Sequence, residues 1–296
     1  MSARAGRWRL VAALAAAAAG NATAQPPPRT SLLPELPASV RVAGLAGAGV
    51  ANIGYAGTVF ENPSGLAPIR TLSIEAALYR RPDGSTYNMG AAAARVGAFN
   101  VGGGYQYLLY PSGGPVRDNV LSVGALTYRR GGLAVGGGLK YLSVEDAEGA
   151  IDRTVVKDLG VTLALFDIAA LGLSWQNFGA QAVSGLPLPI PGSFHLGFSL
   201  NLIDTYTNGR LLALVESVWT EGRVQRTIWG LEGGAVIGGL GLIARVGHGR
   251  QPAGSGFSRT AFGGGILIGA ARVDYAYRAS AVGDPVTHLF GLRWTR

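Results

Sequence analysis

Residues 194–202 read Phe-His-Leu-Gly-Phe-Ser-Leu-Asn-Leu, and this stretch decides the fold class. Every second side chain is large and apolar, whereas those between are mostly small or polar. Alternation of this kind is the period of a β-strand with two different faces. Residues 171–176, 101–107, 273–278 and 288–294 repeat the pattern. The repetition predicts an all-β chain whose strands each have one apolar, aromatic face and one glycine-rich or polar face.

Fourteen segments of this type follow one another, and the connections between them alternate in length. Tight turns fall near residues 97–99, 130–132, 167, 238 and 270, and longer connections at 111–115, 145–152, 179–192, 250–257 and 280–285. Outer-membrane barrels have short periplasmic turns and longer external loops. The sequence therefore predicts a closed antiparallel transmembrane β-barrel of about fourteen strands. The predicted strands are 70–81, 86–98, 100–110, 116–129, 132–145, 152–166, 168–178, 192–203, 210–221, 224–237, 239–249, 258–269, 271–279 and 286–295.

A soluble β-sandwich or barrel is the main structural alternative, because its strands also alternate. Most of the predicted strands are about ten residues or longer, whereas strands of soluble proteins usually have about five or six. Their polar faces suit a lumen better than a dry core. In hydrocarbon every backbone N–H and C=O needs a partner within the sheet, so a free edge is not tolerated. We therefore expect the last strand, 286–295, to pair with the first near 71–79.

The composition excludes several other classes. Charged residues make up 14%, hydrophobic residues 48%, and there are 47 glycines, which is too apolar for disorder. The glycines have no collagen period. Cysteine is absent, which excludes disulfides, thiolate metal sites and cysteine nucleophiles. No run of Lys and Arg interleaved with aromatics occurs, so nucleic acid is not expected as a partner.

The N-terminus has the three regions of a secretory signal peptide. Three arginines precede a short apolar run over 10–20, and an A-x-A site predicts cleavage near Ala24. The apolar run is too short to be a transmembrane helix, which needs about 20 residues. We expect a protein of the bacterial outer membrane with a signal peptide (1–24), a Pro-rich leader (25–38), a plug-like segment (39–69) and the barrel (70–296).

Two N-terminal motifs resemble a known family. Residues 44–50 are Gly-Leu-Ala-Gly-Ala-Gly-Val, and residues 60–67 contain Asn62-Pro63-Ser64-Gly65. They resemble the signature of FadL-like outer-membrane barrels, most of all the PorV/PorQ branch, where a small-residue segment precedes Asn-Pro-Ala-Gly-Leu. Ser64 departs from the usual Ala. The Leu-Pro-Leu-Pro segment at 186–189 and the final hairpin are also similar to that branch, so short, degenerate motifs cover nearly the whole mature chain.

The resemblance implies a fourteen-stranded barrel with its N-terminal segment inside, and one of two functions. PorV and PorQ members serve type IX secretion, so the first expectation is a binding or shuttle barrel linked to protein secretion. FadL members carry hydrophobic compounds, so the alternative is a transporter of small hydrophobic molecules, with the apolar stretch 183–191 as a capture loop. The expected partners are outer-membrane lipid, the barrel assembly machinery, and secreted proteins or hydrophobic small molecules. No cofactor is expected.

Three sets of residues are candidate functional elements. The motif Asn62-Pro63-Ser64-Gly65 is either a turn, with Pro and Gly at favoured positions, or a latch that controls access to the lumen. An outward stripe in the last strand is formed by Phe290, Leu292 and Trp294. It resembles the terminal signal that the barrel assembly machinery reads, although Thr295 and Arg296 follow it. Strand parity turns nine charged side chains into the lumen: Lys140, Glu216, Arg226, Glu232, Arg245, Arg272, Asp274, Arg278 and Arg293.

These lumen charges are expected to form ion pairs that hold the plug and stiffen the wall, rather than a ladder that reads a substrate. Glu232 is expected to pair with Arg245, and Asp274 with Arg293. Charge in a lumen stays partly solvated and costs less than charge facing lipid.

Sequence signals of an enzyme are weak. The three histidines lie in separate predicted strands; parity turns His195 inward and His248 and His288 outward. There is no G-x-S-x-G elbow and no cluster with metal-ligand spacing. The chain is therefore not expected to be an enzyme or to hold a metal.

Overall fold

The computed structural model describes residues 33, 36–80, 84–111, 116–166, 168–186, 188–203, 209–222, 225–249, 260–279 and 287–296. The expected signal peptide, most of the Pro-rich leader and parts of several external loops lie outside these residues. No helix among the described residues is long and apolar enough to cross a membrane.

Fourteen antiparallel strands close into one barrel, which confirms the predicted fold class. Each strand pairs with its neighbours in sequence, and β1 closes on β14 with Ile74 opposite Trp294 and Leu78 opposite Phe290. Closure leaves no edge, as hydrocarbon requires. The strands are β1 Leu72–Arg80, β2 Thr86–Val96, β3 Phe99–Leu109, β4 Val116–Arg130, β5 Leu133–Asp146, β6 Ile151–Leu165, β7 Ala169–Ser184, β8 Ser193–Ile203, β9 Gly209–Thr220, β10 Arg226–Ile237, β11 Leu240–Gly249, β12 Thr260–Ile268, β13 Ala271–Ala279 and β14 Thr287–Thr295.

Strand β7 departs most from its predicted bounds, because it continues to Ser184 instead of ending at 178. Its pairing with β6 shifts register on both sides of Lys157, which lies opposite Phe178. Asn177 adopts a left-handed conformation with φ 58°. The strand therefore absorbs extra residues as bulges, which bend a strand without ending it.

The two faces of the wall are reversed relative to a soluble protein. Large apolar side chains point outward, such as Leu78 at 58% and Leu139 at 59% exposure, whereas Lys140 and Glu232 are 1% and 3% exposed inside. An apolar outer band around a polar interior is the arrangement of a barrel in a bilayer.

The connections place the two ends of the barrel. One end carries the tight turns, among them Gly97 and Gly238, whose φ values of 61° and 60° favour glycine. The same end holds both ends of the sheet, where the Leu72 and Arg296 backbones exchange hydrogen bonds of 3.1 and 2.8 Å. By the rule that periplasmic turns are short, this is the periplasmic end.

The chain before β1 lies inside the barrel, and we call residues 36–69 the plug. It contains the short helix α1, Val40–Ala43, and two 3₁₀ helices, Ala56–Phe60 and Pro63–Leu66. Ser39 caps α1 by accepting a hydrogen bond from the Arg41 backbone at 3.2 Å. Most plug residues are buried, so the plug fills the middle of the lumen.

Candidate functional site: the plugged lumen

Inward-facing glycines form much of the wall against which the plug packs. A side chain at Gly136 would place its Cβ 2.6 Å from the Ser64 backbone nitrogen. At Gly172 and Gly247 it would meet the plug backbone at Val50 and Leu45. No side chain fits at such distances, so these glycines let the two backbones approach closely. The high glycine content thus has a structural cause in the docking of the plug.

The motif at 62–65 forms a tight turn and also contacts the wall. The Asn62 side chain accepts from the Ser64 backbone at 3.2 Å and from its hydroxyl at 2.6 Å, closing the turn. The Ser64 hydroxyl lies 2.7 Å from Thr162 Oγ1 on β6, and Thr127 on β4 donates to the Pro63 carbonyl at 2.5 Å. Gly65 closes the turn by donating to the Asn62 carbonyl at 2.9 Å. The turn is therefore held between two strands.

An ion-pair network joins the plug to the opposite wall. Arg41 of the plug donates to Glu232 from Nε at 2.8 Å and from Nη2 at 2.6 Å. The same carboxylate accepts from Arg245 at 2.7 Å, and Arg272 lies 3.5 Å away. The two-pronged contact of Arg41 fixes direction as well as distance. Glu232 is thus the point where α1 is attached to the barrel.

Asp274 extends this network, but with different partners from those predicted. It pairs with Arg245 at 2.8 Å and with Arg272 at 2.9 Å. The expected partner, Arg293, lies over the ring of Tyr55 at 5.4 Å from its centroid. Arg245 reaches Asp274 from β11, across the intervening strand β12, and Arg272 reaches it from its own strand, β13. The expected pair of Glu232 with Arg245 is present.

Two further wall carboxylates receive hydrogen bonds from the plug. Glu216 accepts from the backbone of Gly49 at 2.7 Å and Val50 at 3.0 Å, and its other oxygen lies 2.7 Å from His195 Nδ1. Glu75 accepts from the Ser39 hydroxyl at 2.6 Å. Because backbone N–H groups donate to them, both carboxylates act as anchors.

The remaining predicted lumen charges lie away from these anchors. Lys140 is buried, with Asp158 at 2.7 Å and Asn177 at 3.2 Å, which ties β5 to β6 and to the bulged part of β7. Arg278 is buried and Arg226 half-buried, both near the external end. The structure therefore places the charges in separate groups, of which those around Glu232 and Glu216 contact the plug.

The outward positions match the aromatic belts of a membrane barrel. His248 lies beside Trp229, and His288 bonds the Tyr275 hydroxyl at 2.8 Å. In the terminal stripe Phe290 and Leu292 are exposed and Trp294 half-buried, all on the outer face of β14. Whether the assembly machinery reads this stripe stays a prediction.

Sequence reasoning missed the plug's own ionic anchor. Arg41 is the one charged residue in 39–57, a segment of otherwise small and apolar residues, and that isolation was the available signal. Glu75 has inward parity on β1 and could have been found in the same way as the others. Asp158 and Asn177 depend on the β7 bulges, which alternation alone does not reveal.

One carboxyl oxygen of the plug is buried without a hydrogen-bond partner. Glu61 Oε1 has no hydrogen-bond partner among the described residues. Burial, and then the negative charges of Glu216 and Glu75, raise the pKa of Glu61 well above its usual value. The docked plug therefore favours the protonated form of Glu61.

Apolar side chains lie on both sides of the plug. On the external side, inward side chains of β1–β6 and apolar side chains of the plug form a close-packed cluster, in which Leu188 and Ile190 of the connection after β7 are buried. On the periplasmic side a cavity of about 400 Å³ lies below Glu232, with Val236, Ile243 and Leu267 in its wall. A second cavity, of about 340 Å³, is lined in part by Arg70, Arg129 and Arg210.

Comparison with known proteins identifies similar barrels by structure alone. No family model matches the chain, and no curated protein matches it by sequence. The toluene transporter TbuX of Ralstonia pickettii superposes with a TM-score of 0.59 at 12% identity, covering 88% of this chain and 97% of TbuX. The CymD monoaromatic hydrocarbon channel gives 0.60 at 14% identity, with the same coverages. A Pseudomonas aeruginosa FadL homologue gives 0.54 at 10% identity, covering 86% and 97%.

These similarities show the fold: a FadL-like outer-membrane barrel. The outward apolar band of the barrel agrees with the predicted outer-membrane location, and the expectation that the chain is not an enzyme stays a prediction. The more specific PorV/PorQ resemblance receives no support from them, so the secretion function stays a prediction. Among the described residues no group of three or more His, Asp or Glu side chains could hold a metal ion.

Proposed function

We propose that this barrel carries small hydrophobic molecules across the outer membrane. The observation that carries the proposal is the apolar cavity on the periplasmic side of the plug. It is bounded by Val236, Ile243 and Leu267. Ligand sites are concave, mainly apolar, and usually enclose about 300–1,000 Å³. A cavity of about 400 Å³ suits a molecule of one or two rings.

The form of the plug agrees with gated passage rather than an open pore. Its polar contacts with the wall are a few separate anchors, at Glu75, Glu216, Glu232 and Thr162. Apolar plug side chains such as Phe60 and Leu66 pack against inward glycines of β3 between these anchors. Opening of the lumen therefore requires these contacts to break. The neighbouring structures named above as toluene and hydrocarbon carriers support the same function.

Whole-cell uptake tests the proposal, because an intact outer membrane, unlike a phospholipid vesicle, is a barrier to toluene. Entry of radiolabelled toluene into cells that express the full chain is compared with entry into cells that lack it. Ile243→Trp fills the periplasmic cavity and is expected to lower the uptake rate several-fold. Ile266→Trp, on the outward face of β12, is the matched control and leaves uptake unchanged. Uptake at the level of cells that lack the protein, or equal uptake by both variants, would refute the proposal.

A further inference from the structure

Lys157 is a charged side chain on the lipid-facing side of the barrel. It lies on β6 between the outward residues Val155 and Leu159, and it is exposed. Its strand neighbours are Leu139 on β5 and Phe178 on β7. Among the described residues, no carboxylate lies within ion-pair distance of its ammonium. A lysine facing lipid costs about 2–4 kcal/mol at the midplane and about 0–1 near the interface, so its depth and partner matter.

The depth of Lys157 corresponds to the outer leaflet. It is six residues from the external end of β6 at Ile151, which at about 3.3 Å per residue and a tilt of about 40° is roughly 15 Å along the barrel axis. Strands β4–β7 are the longest, and β7 extends beyond the external end of its neighbour β8. Next to Lys157, Trp175 stacks on Phe178 with 4.7 Å between centroids. Aromatic side chains of this kind mark the interface.

A groove begins beside Lys157 and runs toward the membrane centre. It encloses about 510 Å³ on the outer face of β4–β7. Its floor includes Gly124 and Gly137, which have outward parity and no side chain; a Cβ at Gly124 would meet nothing within 4 Å. Its apolar walls are Leu126, Leu139, Leu159 and Phe178. Leu126, Gly137 and Leu159 lie one outward position nearer the periplasm than Lys157.

We propose that this surface binds a phosphate-bearing lipid of the outer leaflet, with its phosphate at Lys157 and an acyl chain in the groove. The cation lies on the external side and the apolar groove on the membrane side, which is the polarity of an outer-leaflet lipid. Arg153, on the same face two positions nearer the exterior, adds a second positive charge. The β7 bulges bring Phe178 to the groove and so help to form it. This site is independent of passage through the lumen.

Native mass spectrometry of the detergent-extracted full chain tests the lipid site. The protein is titrated with diphosphoryl lipid A and with the same lipid after enzymatic dephosphorylation. Lys157→Gln is expected to weaken binding of the phosphorylated lipid about five-fold, since one basic side chain near a membrane surface contributes on that scale. Arg130→Gln, an exposed basic residue at the periplasmic end, is the control and leaves binding unchanged.

The groove is tested separately with the lysine in place. Gly124→Leu fills it and is expected to weaken binding, whereas Gly233→Leu, on the outer face of β10 with equally open space, is not. Heat-modifiable migration on gels establishes that each variant is folded. Equal binding by wild type and Lys157→Gln, equal binding of the dephosphorylated lipid, or equal binding by the two leucine variants would each overturn the proposal.

Discussion

Replacing Arg41 by Gln should release the plug while the barrel stays intact. Arg41 is the plug's ionic contact with Glu232, at 2.6 and 2.8 Å, and its side chain is 6% exposed. The strand ladder does not involve this residue. Gln keeps most of the side-chain volume but loses the charge and one of the two hydrogen bonds. The substitution therefore affects docking alone.

The size of the effect follows from what Glu232 retains. Removing one partner of a buried ion pair costs about 3–5 kcal/mol when the other charge is left alone. Here Glu232 still accepts from Arg245 at 2.7 Å and has Arg272 at 3.5 Å, so we expect the lower end, about 3 kcal/mol. At about 1.4 kcal/mol for each factor of ten, the undocked fraction rises about 100-fold.

The absence of cysteine gives a direct assay. Ala48→Cys places one thiol in the buried contact between plug and wall, where a maleimide reacts only after undocking. When docking is fast relative to reaction, the labelling rate follows the undocked fraction. Arg117→Gln is the matched control, because that arginine is 62% exposed and its pair with Glu145, at 3.4 Å, contributes at most about 1 kcal/mol. If Arg41→Gln labels no faster than Arg117→Gln, the anchor does not hold the plug.

The same thiol reports three other changes. Gly247→Ala forces a Cβ into the plug backbone and should raise labelling at least ten-fold, whereas Gly233→Ala, in open space, should not. Thr162→Val removes the buried partner of the Ser64 hydroxyl and should raise labelling about ten-fold; an unchanged rate would mean that this contact does not hold the turn. Because the docked pKa of Glu61 is raised, docking is strongest below its usual pKa and weakens as pH rises through the docked value. The labelling rate, divided by that of an exposed thiol at the same pH to correct for thiolate formation, should therefore increase with pH. Glu61→Gln should remove that dependence, and a pH profile identical to wild type would contradict it.

The barrel could be predicted from sequence because lipid imposes a simple rule. Each strand must show lipid one face and the lumen the other, so alternation appears in every segment and its ends are visible as turns. Thirteen of the strands begin and end within two residues of their predicted bounds. Strand β7 differs because its bulges at Asn177 exchange the faces to which the following side chains point. A prediction from alternation over a few residues therefore ends the strand at that position.

The plug contacts were less predictable because they join residues distant in sequence. Parity places Glu232 in the lumen, but only the path of the plug decides that its partner is Arg41, 191 residues earlier. Asp274 shows the same limit. Its strand order allowed Arg293 as a partner, yet Arg272 on its own strand and Arg245 both contact its Oδ1, while Arg293 lies over Tyr55. Alternation specifies a face, not a partner.

Polar and apolar side chains occupy different parts of the lumen. The anchors Glu75, Glu216 and Glu232 lie where backbone or charge of the plug must be held, and apolar side chains occupy the space above and below it. A buried carboxylate is costly unless it is paired, so water must replace the hydrogen bonds that the plug gives these anchors when it undocks. Undocking therefore needs water to enter the middle of the lumen, and the apolar side chains on either side of the plug oppose that. On the proposed function, a hydrophobic molecule in the periplasmic cavity would displace water there, which couples occupancy of that cavity to the position of the plug.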